Sequence, residues 1–593
     1  MNASDKPFLN YYLQELSSLE DGCAEFAESF PQVAGNLGLG SEGSADPHLR
    51  QLIESVAFIA ARLKLQIDSV PGELAHGLLH AAAPHLAAAV PSMSVAKFSP
   101  ISDQLDVKGV TLPAAIRLRA TSSAGPCLFM GCTSEIKLWP LLLETIVGRS
   151  TASSNFPPLT KPISINCEEF SLKISHVRKK LPQHTPGELV FFVSGPLNRA
   201  LAAIDALTFG LVEARMVALD GSWTLPIPLE QVQVLGFDPS HRLIPTEHGA
   251  LHSGALALEF LSFPRRFCFV KVSGLNCPIP TLGFYLTFIV KRNWIAALET
   301  AKANFHLNCV PIINLYTRAP IALPLNDIWR EHALPRAETG QGTWDVFAVN
   351  RVQLIDREKR FDIPEFHSGV NTSETYGSSG VFWQGVRRER IGSNLGHGSI
   401  ALRFIGLKNL RVAVGDDIGV AMVETTCTNC DAPENLRANQ QLEVLGWDGG
   451  YRANLEFIPT TYVPALLPTS LATNSILRIL QLRSGRSVNP CGAVRQYLNT
   501  HNRSQSAHAD AFTSALHSVE RSLVAMPWPK MPQGAMIGMG CRYILRFRKD
   551  GELPGSRYLL SRLVKQVLIQ MHDTSLPLEV VVEDEHGEML RVN

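Results

Sequence analysis

Two cysteines that lie three residues apart could carry metal or redox chemistry. They are Cys427 and Cys430, in the stretch TTCTNCDAP. A structural zinc ion needs about four ligands, and no second C-x-x-C and no H-x-x-x-H lies within the reach of one domain. A redox C-x-x-C requires a strand that gives way to a helix, whereas Asp431 and Pro433 favour a turn. The pattern predicts a strand, VAMVETTCT, that ends in a turn, with a metal or redox site as the alternative.

The stretch GLGSEG, from Gly38 to Gly43, matches the G-x-G-x-x-G pattern of dinucleotide-binding loops. Such a loop requires a strand before it and a helix directly after it, because backbone N–H groups at the start of the helix bind the pyrophosphate. Here a helical pattern precedes the glycines. We therefore interpret the stretch as a loop between two helices.

His76 and His80 lie one helical turn apart, a spacing that allows two imidazoles to bind one metal ion. The glutamate of an H-E-x-x-H site is absent, and Pro84 disrupts the helical geometry before His85. We expect these histidines on a helix surface or in a packed interior, and a metal site is the alternative.

The stretch VFWQGVRRER places Phe382 and Trp383 beside several arginines, of which Arg387 is the first. Aromatic and arginine side chains together can stack single-stranded bases. However, the chain has 54 Lys+Arg and 54 Asp+Glu, so its formal net charge is zero and no global field attracts nucleic acid or an anionic membrane. The pattern favours a strand edge or a protein contact over a nucleic-acid site.

The composition is typical of a globular protein with several domains. The 593 residues suggest about three to five domains. The low charged fraction of 18% and the zero net charge favour a subunit with buried interfaces. The 11 cysteines lie mostly in apolar runs, as reduced core cysteines do. The first residues lack a secretory signal, and no window approaches the roughly 18 apolar residues of a spanning helix, so we expect a soluble, cytosolic protein.

The predicted helices and strands along the chain indicate an α+β multidomain fold. Residues 1–92 form an N-terminal helical region, because apolar residues recur every three or four positions over 8–30 and 48–70. Pro71 predicts the start of a third, short helix that ends at His80. After residue 92 the sequence pattern changes to short β-rich runs bounded by Pro, Gly or Ser.

Three further units follow the helical region in this prediction. Residues 93–330 form a mixed β-rich domain with inserted helices, one of them over LNRALAAIDALTFGLVEARMVA. Residues 331–470 form a β-rich domain, and residues 471–593 form a C-terminal α/β domain. In that last domain RYILRFRKDG is a strand, GSRYLLSRLVKQVLIQMHD is an amphipathic helix, and LPLEVVVEDEHGEMLRVN is a β-hairpin.

The N-terminal sequence resembles the start of the TssF family, also called VasA or ImpG, whose members are baseplate proteins of the bacterial type VI secretion system. The family begins with a YY-x-x-EL helix and an EFA-x-x-(Y/F)P turn. A DP-x-(V/L) helix and a P-H…P-S-M-S-V-x-x-F passage follow. The matching positions here are Tyr11, Tyr12, Glu15, Leu16, Phe26, Pro31, Asp46, Pro47, Pro84, His85 and residues 91–95.

The resemblance continues over most of residues 8–435 and thins between 435 and 540. LALEFLSFPRRFCFVKVSGL is similar to the family's L-x-E-(Y/F)-F-x-FP-x-x-F-x-F passage, with Leu261 where an aromatic is usual. VPIINLYTRAPIALPL, TWDVFAVNRVQLI and FWQGVRRE resemble further family passages. TTCTNCDAP resembles T-C-T-N-R-D-L-P, so Cys427 matches while Cys430 replaces an arginine. The resemblance implies that the C-x-x-C is a substitution beside a family cysteine.

The resemblance implies a structural and non-catalytic role, without cofactor or metal, and a fold similar to contractile phage baseplate wedge proteins. Two TssF copies and one TssG would form a wedge that binds TssK. Wedges would assemble with TssE around the VgrG spike, dock on the inner-membrane complex and nucleate the TssB–TssC sheath. The alternatives are a wedge component of a related phage-like injection system, a carbohydrate-binding protein, an enzyme and, disfavoured by charge, a nucleic-acid module.

The N-terminal helices are the predicted partner interface. Their apolar stripes are wide enough to pack on another protein, and we expect them to join helices of TssG and of the second TssF copy. Glu15 is expected to be exposed, so that its charge reversal would weaken binding to TssG. The predicted interface residues are Phe8, Tyr11, Tyr12, Glu15, Leu16, Leu19, Leu52, Val56 and Ile59.

Overall fold

The computed structural model describes most of the chain. The described residues are 6–40, 43–44, 47–101, 108–131, 134–147, 167–177, 186–245, 252–276, 282–301, 304–325, 331–334, 344–356, 359–366, 382–388, 399–405, 420–465, 469–483, 489–527, 537–548, 556–571, 576–584 and 587–592. Among these residues, no helix combines the length and the apolar character that crossing a membrane requires.

Helices dominate the N-terminal region, as predicted. They are α1 (Lys6–Ser29), α2 (Pro31–Asn36), α3 (Pro47–Ala82) and α4 (Pro84–Ala87), with a two-stranded hairpin of Leu39–Gly40 and Gly43–Ser44 between α2 and α3. The predicted helix start at Pro71 is wrong, because α3 continues through it. An interior proline removes one backbone hydrogen bond, and packing on both sides of it can outweigh that loss. Here α3 packs against both α1 and a later helix.

Six strands close into a barrel that follows the helical region. Around the barrel they are Cys309–Ile313, Met93–Pro100, Tyr451–Leu455, Gln441–Leu445, Arg117–Ser122 and Gly125–Gly131. The barrel closes where Ile312 pairs with Gly131. A closed barrel has no unpaired strand edge. Two short strands, Val110–Leu112 and Ile136–Leu138, pair with each other beside it.

Two antiparallel sheets lie next along the chain. The five-stranded sheet has the order Thr224–Ile227, Leu211–Ala218, Gly283–Lys291, Cys167–His176 and Leu141–Val147. The four-stranded sheet has the order Val232–Val234, Phe269–Ser273, Glu188–Val193 and Phe305–Leu307. Phe170 of the first sheet contacts Phe305 of the second, with ring centroids 5.4 Å apart. The associated helices are α5 (Leu197–Thr208), α6 (His252–Ser262) and α7 (Ile295–Ala301).

The single helix predicted over 197–218 is wrong in its second half. The helix α5 ends at Thr208, and Leu211–Ala218 is a strand that pairs with Gly283–Lys291. Gly210 lies between the helix and the strand. A larger residue would not fit there, because its Cβ atom would lie 2.6 Å from the side chain of Trp294. The strand forms because it pairs with Gly283–Lys291. That partner lies far along the chain, so no local pattern indicates it.

A separate unit, the 316–427 sheet unit, has its own core. One sheet pairs Tyr316–Thr317 and Ile321–Pro324 with Val420–Thr428, which pairs with Asp345–Asp356 and then Lys359–Ile363. The other contains His332–Ala333, Ser399–Ile405 and Phe382–Arg388. The predicted strands VAMVETTCT and FWQGVRR are confirmed. Trp383 and Leu402 are buried in the core between these sheets.

The C-terminal unit combines helices with a mixed sheet, as predicted. Its helices are α8 (Thr469–Arg483), α9 (Pro490–His501), α10 (Ala507–Ala515) and α11 (Arg557–Met571). Its sheet has the order Leu516–Pro527, Ile537–Phe547, Leu578–Glu583 and Met589–Arg591. The predicted last helix and the terminal hairpin are confirmed. Five short 3-10 helices complete the described elements: Leu229–Gln231, Pro239–His241, Pro264–Phe267, Arg292–Trp294 and Ala432–Asn435.

Asp205 fixes the C-terminal unit onto α5. Its carboxylate accepts hydrogen bonds from the backbone N–H of Arg557 at 2.8 Å, from that of Tyr558 at 3.0 Å, and from the Ser556 hydroxyl. These groups begin α11, so a side chain from α5 caps this helix. Burial raises the pKa of Asp205 to about 6, and the hydrogen bonds oppose that rise.

One large core extends from the barrel through the two antiparallel sheets to the C-terminal unit. The α+β fold class is confirmed. The barrel takes strands from both predicted middle segments, 93–330 and 331–470, and the limits of the four predicted domains stay a prediction.

Candidate partner-docking surface

The helices α1 and α3 pack along each other and form an N-terminal helical arm. The ring of Phe8 meets that of Phe58 edge to face, with centroids 5.3 Å apart. Lys64 Nζ lies 2.8 Å from Glu15 Oε1. Small buried residues of α3, Ala57 and Ala61, allow close helix packing. The arm is therefore held by an apolar seam and by the ion pair of Glu15 with Lys64.

An apolar stripe with described members from Leu52 to Leu78 runs along α3 and is exposed to solvent. At about 100° per residue its members fall within one face of the helix. The helix has 36 residues, so it is about 54 Å long. The stripe covers about 39 Å of this length, from Leu52 to Leu78. A soluble monomer rarely leaves such a long apolar surface open, so the stripe is typical of an interaction site. The exposed stripe consists of Leu52, Val56, Ile59, Leu63, Ile67, Leu74 and Leu78, which are 45–67% exposed.

The structure divides the predicted interface residues into two groups. The α1 residues are half-buried on the face from which Phe8 and Glu15 contact α3. The α3 residues belong to the exposed stripe. The first group is Phe8, Tyr11, Tyr12, Glu15, Leu16 and Leu19, and the second is Leu52, Val56 and Ile59. Their role as a partner interface stays a prediction.

Glu15 is not the freely exposed charge that the sequence suggested. Its side chain is 23% exposed and is ion-paired with Lys64. Charge reversal at this position would break a contact within the arm, so it cannot report on partner binding alone. The members of the stripe beyond Ile59 were absent from the predicted set. Their signal was the repeat of apolar residues every three or four positions, which continues past Pro71.

The base of the arm is fixed to the body of the protein. A small core joins the C-terminal end of α3 and α4 to α8. It contains Leu79, Leu86 and Ile479, all nearly inaccessible to solvent. The helix that carries the stripe is therefore packed against the rest of the protein at its C-terminal end.

Arg503 reinforces this base from the C-terminal unit. Its guanidinium donates to the carbonyl oxygens of Leu86 at 2.8 Å, of Ala88 at 2.5 Å and of Pro464 at 2.5 Å. Burial lowers the pKa of Arg503 to about 10, so the side chain stays charged near neutral pH. An arginine that satisfies several buried carbonyls fixes the chain segments that carry them.

The T-C-T-N segment lies where the barrel meets the 316–427 sheet unit. Asn314 Oδ1 accepts from the Thr428 hydroxyl at 2.8 Å and from the Asn429 backbone N–H at 2.7 Å. Asn429 Oδ1 accepts from the backbone N–H of Leu128 at 2.9 Å and from Asn314 Nδ2 at 3.0 Å. Both asparagines are buried. This network fixes three chain segments to one another, which is a structural role.

The cysteines of the opening C-x-x-C are both buried beside this network. Burial raises the pKa of the Cys427 thiol, so the thiol stays protonated and poorly nucleophilic. Cys430 has a backbone φ of +54°, in the left-handed region of the turn after the strand. Within the described ranges, no three His, Cys, Asp or Glu side chains form a group that could hold a metal ion.

The predicted histidines are separated by the fold. His76 and His80 line a cavity of about 120 Å³ between α3 and the 316–427 sheet unit, together with Glu365 and Arg387. His85 lies elsewhere, buried against His501. The Arg387 guanidinium donates to the carbonyl of Phe347 at 2.6 Å, and Trp383 is buried, so this strand does not present a base-stacking surface.

The glycine stretch is a turn between helices, as predicted. Gly38 has a φ of +71°, and the hairpin of Leu39–Gly40 with Gly43–Ser44 follows it. Residues 41 and 42 of the motif lie outside the described residues. A dinucleotide-binding loop follows a strand and leads directly into a helix. Here a helix precedes the glycines and a hairpin contains them, so the stretch does not have the structure of such a loop.

Comparisons with known proteins identify the family. The family model described as "Type VI secretion system, TssF" matches residues 4–591. The type VI secretion system component TssF1 of Pseudomonas aeruginosa is 26% identical over 400 residues, which are 64% of this chain and 62% of that protein. The aligned part thus spans less than two thirds of that relative's length.

Two solved structures share the fold. A chain of the TssK–TssF–TssG baseplate subcomplex of the type VI secretion system, solved by cryo-electron microscopy, has a TM-score of 0.72 at 18% identity. The match covers 92% of this chain and 98% of that one. A chain of the baseplate complex from the type VI secretion system has a TM-score of 0.59 at 17% identity, over 98% of both chains. The whole-chain family match and the shared fold lead to one conclusion: the chain belongs to the TssF family of the type VI secretion system.

Proposed function

We propose that this protein is a structural subunit of the type VI secretion baseplate wedge, and that the exposed stripe of α3 docks on a partner helix. The single observation that carries the proposal is this apolar face, which extends about 39 Å from Leu52 to Leu78, about seven helical turns, on an arm with a fixed base. A large exposed apolar face marks an interaction site, and a scaffold that must join other subunits requires one.

The partner that we propose for the stripe is a helix of TssG, in a wedge of two copies of this chain and one TssG. The match to a chain of a TssK–TssF–TssG subcomplex supports TssG and TssK as partners. An apolar helix face packs well against the apolar face of another helix. The contacts are made by residues three or four positions apart, which is the spacing in the stripe. The family's role in a structural assembly also supports a protein without catalytic activity.

The wider setting follows from the same proposal. The wedge would assemble in the cytoplasm with TssE around the VgrG spike, dock on the inner-membrane complex and nucleate the TssB–TssC sheath. In that setting the protein must hold its shape while force passes through it. The buried contacts at the base of the arm, such as those of Arg503, suit that requirement.

Co-purification with the TssG-type protein of the same cell tests the docking surface. Ile59→Lys and Ile67→Lys place a charge in the stripe, and we expect each to reduce retention of the TssG-type protein by about tenfold or more, because a buried unpaired charge is costly. Leu229→Lys is the control, since Leu229 is also an exposed apolar residue, 46% against 58% for Ile59, and lies far from α3 in sequence. Equal retention by stripe variants and control would place the docking surface elsewhere.

A further inference from the structure

A β-hairpin extends beyond the C-terminal sheet. Its strands are Leu516–Pro527 and Ile537–Phe547, paired in register from Ser518–Arg546 to Pro527–Ile537. The third strand, Leu578–Glu583, pairs only with Cys541–Arg546. Among the described residues, the part of the hairpin beyond Cys541 is thus two strands wide. Such a two-stranded extension is marginally stable in water on its own.

One face of this hairpin leaves the core and becomes exposed. Val519, Tyr543 and Cys541 lie on the buried face of the sheet. Residues of the same parity continue that face towards the extension: Leu523, opposite Cys541 at its beginning, is 59% exposed, and Met539 within it is 53% exposed. Arg521 lies on the same face and donates to the Cys541 sulfur. The buried face therefore continues into open apolar surface.

The opposite face of the sheet is hydrated. Arg546 forms ion pairs with Glu520 and Glu583, and Arg542 Nε lies 2.8 Å from Glu579. A ladder of alternating charges across neighbouring strands is typical of a solvent-facing surface. A partner is therefore expected at the edge or on the apolar face, not on the ladder.

Among the described residues, the outer edge of Leu516–Pro527 is open over most of its length. Within this part of the chain only its beginning is covered, because Arg495 donates to the carbonyl of Leu516 and Cys491 lies 3.4 Å from the carbonyl of His517. In the described structure, residues 518–526 pair on one side only, with Ile537–Phe547. The open edge has no lysine and no internal proline, two of the features that prevent edge-to-edge pairing; its charges are Glu520 and Arg521, and its one register shift lies before Ser518.

We propose that this edge pairs with the same edge of a second copy of the chain, antiparallel, about a two-fold axis at Leu523. An open edge offers a row of backbone donors and acceptors that only another strand satisfies. The middle of the open edge lies at Ser522, and an axis at the neighbouring Leu523 pairs residues 520–526 of the two copies. A two-fold contact buries the same patch on both copies.

The charge pattern excludes two neighbouring registers, and the exposed Leu523 side chain favours an axis at its own position over one at Ser522, which would place Leu523 opposite Arg521. An axis at Glu520 or at Arg521 would place two like charges directly opposite each other, which is destabilising. An axis at Leu523 places Glu520 opposite Met526 and Arg521 opposite Ala525 of the other copy. The two exposed Leu523 side chains then cover each other. The contact is independent of the exposed stripe on α3 and goes beyond the proposed docking on TssG.

Cysteine cross-linking of the full chain tests this register. In Leu523→Cys the two new thiols lie directly opposite each other, with Cα atoms about 5 Å apart, within reach of a disulfide. In Ala525→Cys, on the same face and the same edge, the corresponding Cα atoms are about 14 Å apart. Under a mild oxidant we expect several-fold more disulfide-linked dimer for Leu523→Cys than for Ala525→Cys or the wild-type chain. Equal yields, or a higher yield for Ala525→Cys, would overturn the proposal.

Sedimentation of the full chain separates edge pairing from docking on the apolar face. Leu523→Lys should weaken the dimer by about tenfold or more, whereas Met539→Lys, one strand further in, should have a smaller effect. Leu142→Lys, an exposed apolar residue on the outer strand of another sheet, should leave the dimer unchanged. Equal effects at Leu523 and Met539 would indicate that a helix covers the face. That result, or a wild-type chain that is monomeric at all concentrations, would refute the edge pairing.

Discussion

His85 and His501, which lie 416 residues apart, share a hydrogen bond of 3.0 Å between their Nε2 atoms in the interior of the protein. His501 Nδ1 lies 2.8 Å from the carbonyl oxygen of Tyr497, which can only accept, so Nδ1 of His501 carries a proton. In the neutral pair, His501 Nε2 therefore accepts and His85 Nε2–H donates. A proton on His501 Nε2 would turn this bond into a repulsive contact, so the pair is stable only when it is neutral.

The neutral pair predicts a loss of stability in acid. Burial lowers the pKa of His501 to about 4 and lowers that of His85, where His501, Arg242 and Arg503 add to the effect. In the unfolded chain histidine titrates near pH 6.5, so the unfolded state binds more protons between the two values. The free energy of unfolding should fall as the pH drops from about 6.5 towards 4, by about 2–3 kcal/mol at pH 4.5 from His501, and the lowered pKa of His85 acts in the same direction.

Urea unfolding at pH 7 and at pH 4.5 measures this effect. The double variant His85→Gln/His501→Gln keeps an N–H···O bond but does not titrate, so it should lose clearly less stability in acid than the wild-type chain. Asp205 acts in the opposite direction, since its raised pKa of about 6 increases stability as the pH falls from 6 to 4, but it is common to both proteins. An identical acid loss in both proteins would show that the pair does not titrate as proposed.

The ion pair of Glu259 and Arg266 is fully buried and fixes the loop before α6. Glu259 Oε1 accepts from the backbone N–H of Leu243 at 3.1 Å and of Ile244 at 2.8 Å, while Arg266 donates to the carbonyl of His241 at 2.6 Å. Glu259→Gln leaves a buried arginine without its counter-charge, so we expect a loss of about 3–5 kcal/mol in the free energy of unfolding. The exposed pair of Arg119 with Glu443 supplies the control.

That control is Glu443→Gln, which should change the free energy of unfolding by at most about 1 kcal/mol, because both side chains are about half exposed. Chemical denaturation of both variants at neutral pH measures the difference. A similar small change for Glu259→Gln would mean that the buried pair contributes little to the fold.

The Asn314–Asn429 network should be essential for the junction of the barrel with the 316–427 sheet unit. Asn429→Ala leaves the backbone N–H of Leu128 and the amide of Asn314 without an acceptor. At about 1–3 kcal/mol for each unsatisfied donor, we expect a loss of about 2–6 kcal/mol, measured by denaturation. Asn198→Ala removes an exposed amide and should change stability by less than about 0.5 kcal/mol. Equal effects of both changes would contradict the role of the network.

The pair of Glu15 with Lys64 should stabilise the arm rather than a partner contact. Glu15→Lys places two like charges together, so α1 should open more often, with backbone amide exchange about fivefold faster for a loss of about 1 kcal/mol. The swap Glu15→Lys/Lys64→Glu should restore slow exchange. Exchange that stays slow in the single variant would show that the pair does not hold α1 on α3.

Local sequence patterns were sufficient where one element decides its own structure. The helix Arg557–Met571 has a clear apolar stripe, and the terminal hairpin has Gly587 at its turn with a φ of +79°. The exposed stripe of α3 is visible in the sequence for the same reason. By contrast, the strand Leu211–Ala218 depends on pairing with Gly283–Lys291, and that distant partner has no local signal.

The contacts that fix the arm and the barrel could not be predicted from spacing. Asn314 and Asn429 are 115 residues apart, and His85 is 416 residues from His501. Periodicity reports which side of an element is buried, but it does not report which other element lies there. For the same reason the sequence indicated Glu15 as an exposed charge, although Lys64 of the next long helix covers it.

Native mass spectrometry of the full chain, co-purified with the TssG-type protein of the same cell, tests the proposed function most directly. We expect a complex of two copies of this chain with one TssG-type protein, and its loss in Ile59→Lys but not in Leu229→Lys. Two results would contradict docking through the exposed stripe. In one, the folded chain does not bind the folded TssG-type protein; in the other, Ile59→Lys leaves the complex intact.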